Sequence, residues 1–274
     1  MRIRYVDAFT DRPFAGNPAG VVVLSADGFP GDAAMAGIAA EVNLSETAFV
    51  HPLPPGGPAD WALRWFTPTT EVRMCGHATL ATAHVLATAE GVVGPQRFAT
   101  LSGVLTAAPA GEGGALTLDF PTAPLREVEV PPAVAAALGA PVVACHETGP
   151  DVGDLLVDLP DEATVRALRP DLGALAELPG RGVIVTAAAD GSRPGYDFVS
   201  RFFGPAVGVP EDPVTGSAHT ALAPLWAARS GRNDLVGRQV SARGGTVRVT
   251  VRGDRTLLTG EAVTVMEGTF LRTP

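Results

Sequence analysis

Apolar positions along this chain fall in short runs broken by glycine, proline and polar turn residues, a pattern that predicts many strands and few helices. Ile3 to Phe9 alternates charged and apolar side chains and reads as a first strand. A loop rich in turn residues, Thr10 to Asn17, leads to a second strand at Ala19 to Leu24. Met35, Ile38, Ala39 and Val42 recur at helical spacing, which predicts an amphipathic helix over Asp32 to Val42 ending at Asn43. Strands follow at Glu46 to Val50 and Trp61 to Phe66. Gly76 to Ala89 carries no Asp, Glu, Lys or Arg and predicts a helix apolar on every side. Strands at Arg97 to Leu101, Val104 to Ala108 and Ala115 to Phe120 close the first half.

The second half has the same rhythm with more helix. Helices are predicted at Pro131 to Leu138, Glu162 to Leu168 and Gly216 to Ala228, the last again uncharged from Pro213 to Ala227. Pro224 lies deep in that helix and is expected to kink it or end it early. Strands are predicted near Pro141 to Thr148, Asp154 to Leu159, Gly182 to Ala187, Tyr196 to Phe203, Arg238 to Ala242, Thr246 to Val251, Arg255 to Thr259 and Ala262 to Thr269.

One segment is used twice. Arg64-Trp65-Phe66-Thr67-Pro68 runs into Cys75-Gly76-His77-Ala78, and Arg201-Phe202-Phe203-Gly204-Pro205 runs into Thr215-Gly216-Ser217-Ala218, with an offset of 140 residues from Gly76 to Gly216. An offset of half the chain means a duplicated domain. The expected fold class is therefore α+β: two pseudo-symmetric halves, each a barrel-like, mostly antiparallel sheet wrapped around a central buried helix. Residues 1–122 form the N-terminal half, completed by the last strand at about 262–274, and residues 123–261 form the C-terminal half.

Charge and composition then remove alternatives. The formal net charge of −9 and the lack of any basic run exclude nucleic acid or an anionic membrane as the main partner. All twenty basic residues are arginine, so a Schiff base, a pyridoxal phosphate anchor and a P-loop lysine are all excluded. Cys75 and Cys145 form no CxxC, and the five histidines show no HxxxH or HExxH spacing, so neither a disulfide framework nor a metal site is expected. No nucleotide-binding glycine pattern occurs, and no cofactor is expected. A cytoplasmic protein without signal peptide or membrane span is the natural reading.

The candidate chemistry gathers at the two helix starts. A buried helix presents free N–H groups and a partial positive charge at its N-terminus, and glycine there lets a carboxylate approach the backbone. Either glycine alone is a tight turn, but each first turn also carries a polar residue, His77 or Ser217. The helix end should lower the pKa of His77 and favour a neutral imidazole. Glu46 lies where a helix gives way to a strand, and Asp212 lies four residues before Gly216, with Glu211 as its competitor. Cys75 and Thr215 occupy matching positions, and a threonine cannot supply the second acid of a two-thiol racemase.

Asp7-Ala8-Phe9-Thr10 with Phe14-Ala15-Gly16-Asn17-Pro18, Asn43-Leu44-Ser45-Glu46-Thr47, Cys75-Gly76-His77-Ala78-Thr79 and Glu211-Asp212-Pro213-Val214-Thr215-Gly216-Ser217-Ala218-His219 together resemble the PhzF family of phenazine-biosynthesis-like isomerases. The resemblance implies the diaminopimelate-epimerase-like fold, with a site in the cleft between the halves, and a cofactor-free proton shift between carbons of a small carboxylated substrate. It maps the acid/base glutamate onto Glu46, a catalytic histidine onto His77 and a catalytic aspartate onto Asp212. Ser45, Gly76, Gly216 and Ser217 match positions that contact substrate, with Asn17 in a supporting role. Family analogy also implies a homodimer. The rival expectations are an amino-acid racemase or epimerase that needs Cys75, and a non-catalytic binder of small carboxylates.

Overall fold

A computed structural model describes residues 1–25, 28–111, 113–192 and 195–272. The chain divides into two units, Met1–Asp119 with Thr259–Pro274, and Phe120–Leu258. In chain order the first unit supplies β1 (Arg2–Ala8), β2 (Asn17–Val23), α1 (Asp32–Val42), β3 (Glu46–Pro52), β4 (Trp61–Phe66), β5 (Glu71–Val72), α2 (Gly76–Ala89), β6 (Gln96–Thr100) and β7 (Gly103–Pro109). β8 (Leu116–Pro121) ends this run. β9 (Arg126–Val128), α3 (Pro132–Leu138), β10 (Ala144–Glu147), α4 (Gly149–Val152), β11 (Asp154–Asp158), α5 (Glu162–Ala167) and α6 (Leu172–Ala176) follow. Then come β12 (Gly182–Ala188), β13 (Phe198–Gly204), β14 (Val209–Asp212), α7 (Gly216–Ser230), β15 (Asp234–Gln239), β16 (Gly245–Arg252), β17 (Arg255–Gly260) and finally β18 (Ala262–Thr269).

The repeat legible in the sequence is a repeat of strand pairing. In the first unit β1 pairs antiparallel with β2 and β18, β2 runs parallel to β3, β3 is antiparallel to β4, and β4 is antiparallel to β5 and parallel to β6. In the second, β10 pairs antiparallel with β11 and β9, β11 runs parallel to β12, β12 is antiparallel to β13, and β13 is antiparallel to β14 and parallel to β15. Each parallel pair needs a crossover, and helices supply it: α1 between β2 and β3, α5 and α6 between β11 and β12, α2 before β6, and α7 before β15.

Helix α2 packs against β1, β2, β3, β7 and β18. It therefore has no solvent side over most of its length, which is what its lack of charge demanded. Its buried threonines cause no polar debt, because Thr79 and Thr82 donate to the carbonyls of Cys75 and Ala78 at 2.6 and 2.7 Å. Ile3, Val22, Met35, Ile38, Phe49 and Phe66 form a second apolar layer under α1. In the other unit Val134, Leu138, Val157, Val165, Leu175, Val185 and Phe203 do the same under α3, α5 and α6.

Three local expectations are corrected. Helix α7 runs through Pro224 to Ser230 without ending early. Proline removes the N–H that would bond to the Thr220 carbonyl, and the Ala123 N–H fills that vacancy at 3.2 Å. The strand expected at Arg238 to Ala242 lies earlier, at β15, because Phe198↔Gly237 and Ser200↔Gln239 pairing with β13 pulls it into register. β5, β9 and β14 are too short to carry a periodic signal and were not expected. Among the described residues no helix is long and apolar enough to cross a membrane.

Candidate active site

The first unit brings five of the singled-out residues together. Asp7 is buried at the end of β1, and its carboxylate accepts the Phe14 N–H at 2.7 Å, folding the loop back on the strand. Gly16 then adopts φ +65°, where a Cβ would lie 2.2 Å from the Ala8 carbonyl oxygen, so only glycine fits. This turn delivers Asn17, fully buried, to the start of β2. Helix α1 ends on Asn43 in the left-handed conformation, and the chain turns into β3 with Glu46 as its first residue, opposite Ala19 of β2.

His77, in the first turn of α2, closes the group. Its Nε2 lies 3.2 Å from Glu46 Oε2, the two side chains being 6% and 17% exposed. Neither atom has an aligned hydrogen-bond partner, so the pair is close without being locked. On the other edge of the ring Nδ1 meets Asn17 Nδ2 at 3.1 Å and Cys75 Sγ at 3.5 Å. The Ser45 hydroxyl donates to Asn17 Oδ1 at 3.4 Å.

Electrostatics departs from the helix-end expectation for His77. Burial opposes charging of the ring, yet the neighbouring Cys75 and Glu46 side chains outweigh it and hold His77 well above the ordinary histidine range. The Cys75 thiol is itself pushed up, first by burial and then by Glu46. The carboxylate at contact distance overrides the positive helix end.

Glu46, Cys75 and His77 each place one donor atom within 4.8 Å of the others. Sulfur and carboxylate face different ring nitrogens, however, and an imidazole offers one nitrogen to a given ion.

The second unit gathers the others around the start of α7. Asp212 ends β14 and its carboxylate accepts the Thr215 hydroxyl at 2.5 Å. Gln239 of β15 pins this turn: its Oε1 accepts the Thr215 N–H at 2.9 Å and its Nε2 donates to the Asp212 carbonyl at 2.7 Å. Neither Cys75 nor Thr215 caps its helix with its side chain. Ser217 Oγ accepts from Arg181 Nη2 at 2.8 Å, and Arg181 grips the buried Asp154 at 2.9 and 2.5 Å. Glu211 is held by Arg201 through two bonds of 2.7 and 2.9 Å, which leaves Asp212 as the acid at the helix start.

Arg181, Asp154 and Gln239 carried no sequence signal, since nothing in their spacing ties them to position 212, 215 or 217. The alternation of β15, with Leu235, Gly237 and Gln239 buried, marks Gln239 as a polar residue on a buried face once the strand is placed.

Comparison with known proteins adds a family. The profile described as PhzC-PhzF, phenazine biosynthesis-like protein, matches residues 6–268. An uncharacterized isomerase of Pseudomonas aeruginosa is 47% identical over 271 residues, covering 98% of each chain. The crystal structure of a phenazine biosynthesis protein of the PhzF family from Enterococcus faecalis superposes with a TM-score of 0.89 at 41% identity, covering 98% of this chain and 99% of that one. A hydroxyproline epimerase from Agrobacterium vitis shares the fold at a TM-score of 0.59 and 13% identity, covering 98% of this chain and 91% of that one.

Proposed function

The chain belongs to the PhzF family of phenazine biosynthesis-like proteins and is an isomerase of it, and from that premise we propose a cofactor-independent proton shift on a small amino- or hydroxy-acid with Glu46 as acid/base. The observation that carries this reading is the Glu46–His77 pair: a mostly buried carboxylate 3.2 Å from an imidazole, brought from two different elements and not aligned into a hydrogen bond. Catalytic hydrogen bonds are often long before substrate arrives and tighten in the complex.

The Glu46 carboxylate takes a proton from a carbon made acidic by a conjugated carboxylate. The C–H electron pair moves into the conjugated system, the double bond shifts, and the Glu46 carboxyl returns its proton to another carbon on the same face. One group acting as base and then acid suits a shift of position better than an inversion, which needs donors on both faces. His77 Nε2, facing Glu46, takes part in placing the substrate. The first-turn N–H groups of a buried helix favour the charge that develops on the substrate carboxylate.

Asp212 and Ser217 take substrate-orienting roles from the resemblance, with Gly76 and Gly216 as backbone contacts. A racemase built on Cys75 is opposed by that thiol being held protonated and by threonine at the matching position 215. The homodimer and the cytoplasmic location belong to the same proposal, and light scattering on the purified protein tests the dimer.

Proton NMR in deuterated water, over a panel of cyclic and acyclic amino- and hydroxy-acids, tests the reaction. A substrate should gain solvent deuterium with wild-type protein and gain none with Glu46→Gln, while calorimetry shows binding kept. Exchange retained by Glu46→Gln removes Glu46 from the mechanism. Binding without exchange for every compound favours a carboxylate-binding protein.

A further inference from the structure

Asn17, expected in a supporting role toward substrate, is fully buried, and the contacts of its carboxamide include Nδ2 to His77 Nδ1 at 3.1 Å and Oδ1 to the Ser45 hydroxyl at 3.4 Å. We infer that Asn17 is a positioning residue for the acid/base pair, keeping a proton on His77 Nε2, the nitrogen that faces Glu46. The inference rests on the reading of Glu46 as the acid/base group.

An imidazole has two neutral forms. With Asn17 Nδ2–H pointing at Nδ1, that nitrogen must offer a lone pair, and the ring proton sits on Nε2, 3.2 Å from Glu46 Oε2. The other neutral form would set the bare Nε2 lone pair against the carboxylate. When the ring gains a second proton, the carboxamide serves it by turning over: Oδ1 then accepts from Nδ1–H, and Nδ2 donates to the Ser45 hydroxyl, which can donate or accept. Nε2 carries its proton toward Glu46 in both charge states. Among the described residues, the titratable groups that face the ring are Glu46 at the start of β3 and Cys75 just before α2. An amide that can present either a donor or an acceptor is the side chain this task requires; aspartate offers only acceptors and leucine neither.

The test begins with wild-type protein carrying nitrogen-15 histidine, the His77 signals being assigned by their loss in His77→Asn. Nε2 should stay protonated across the pH range, and Nδ1 alone should lose its proton as pH rises. A neutral ring with bare Nε2 overturns the inference without recourse to any variant at position 17. In Asn17→Asp, Nδ1 should keep its proton to higher pH, the pH–rate profile should shift, and kcat should fall about 100-fold with KM changed far less. Asn17→Leu should lose kcat similarly, with no proton held at Nδ1. If both folded variants keep kcat within about twofold, the positioning role is wrong. Should Glu46→Gln retain exchange, the acid/base reading fails by itself, while the nitrogen-15 spectrum still decides the state of the ring.

Discussion

Arg201 grips Glu211 through two parallel hydrogen bonds, Nε to Oε1 at 2.7 Å and Nη2 to Oε2 at 2.9 Å, and lies over the Phe203 ring at 4.8 Å. Arg64 holds Glu71 by the same two atoms, at 2.7 Å each, and lies over Phe66 at 5.2 Å. The duplication has thus kept a planar, two-point ion pair that ties each hairpin leading to a central helix. It also separates two adjacent acids. Glu211 neutralises a guanidinium that is 9% exposed, while Asp212, on the next residue of the strand, meets the helix start.

From this grip follow opposite effects for neighbouring substitutions. Glu211→Gln should lower stability by about 2 kcal/mol, because a buried guanidinium loses its counter-charge, and leave kcat nearly unchanged. Asp212→Asn keeps an acceptor for the Thr215 hydroxyl, so it should cost less than about 1 kcal/mol of stability while lowering kcat/KM. Urea unfolding and steady-state kinetics on both variants check the pair of outcomes, and a reversed pattern would make Glu211 the site acid.

Cys75→Ala tests the thiol directly. The sulfur is buried and held protonated, so the variant should keep solvent-deuterium exchange and lose only about 1 kcal/mol from a small vacated volume. Loss of exchange in a folded Cys75→Ala protein would restore the racemase reading.

Pro224 and Ala123 are coupled through one carbonyl. Replacing Ala123 by proline removes the N–H that satisfies Thr220 and should destabilise by about 1–3 kcal/mol. In a Pro224→Ala background the helix supplies its own donor to Thr220, and the same Ala123→Pro change should cost less. A thermal-melt double-mutant cycle measures the coupling; additive effects would show that the carbonyl is satisfied in another way.

His219 makes a prediction about acid. Burial, against the pull of the Thr215 carbonyl, lowers this ring to about 4. In the unfolded chain it protonates near 6.5, so between those pH values the unfolded state binds more protons than the folded one. Stability from the neutral ring is complete above about pH 6.5 and is lost as pH falls toward 4, an effect on the order of 3 kcal/mol. His77, raised instead, acts with the opposite sign at higher pH, while His84, also lowered by burial, adds to the slope in the same direction as His219. His219→Gln should flatten the stability slope from pH 6.5 to 4.5, read from urea midpoints; an unchanged slope would assign it to other groups.

Much of the architecture was legible because its causes are local. The spacing of Met35, Ile38 and Val42 marks α1 to the residue, and the uncharged run from Gly76 marks α2, since a helix with no polar side has to be buried. β15 was misplaced because Asp234 to Gln239 holds two charged residues and a glycine, and only pairing with β13 makes it a strand. The early end expected at Pro224 is absent for a similar reason: the cost of the proline depends on a donor 101 residues earlier in the chain.

By itself the sequence determined the duplication, the two uncharged helices and the residue types available for chemistry, because periodicity and composition are properties of neighbouring residues. Only the tertiary structure decided that Glu46 meets His77, that Asn17 faces the opposite ring nitrogen, and that Arg201 takes Glu211 out of contention. Those relations join distant segments through pairing register and loop closure, and a contact of a few ångströms between such segments has no local signature to read.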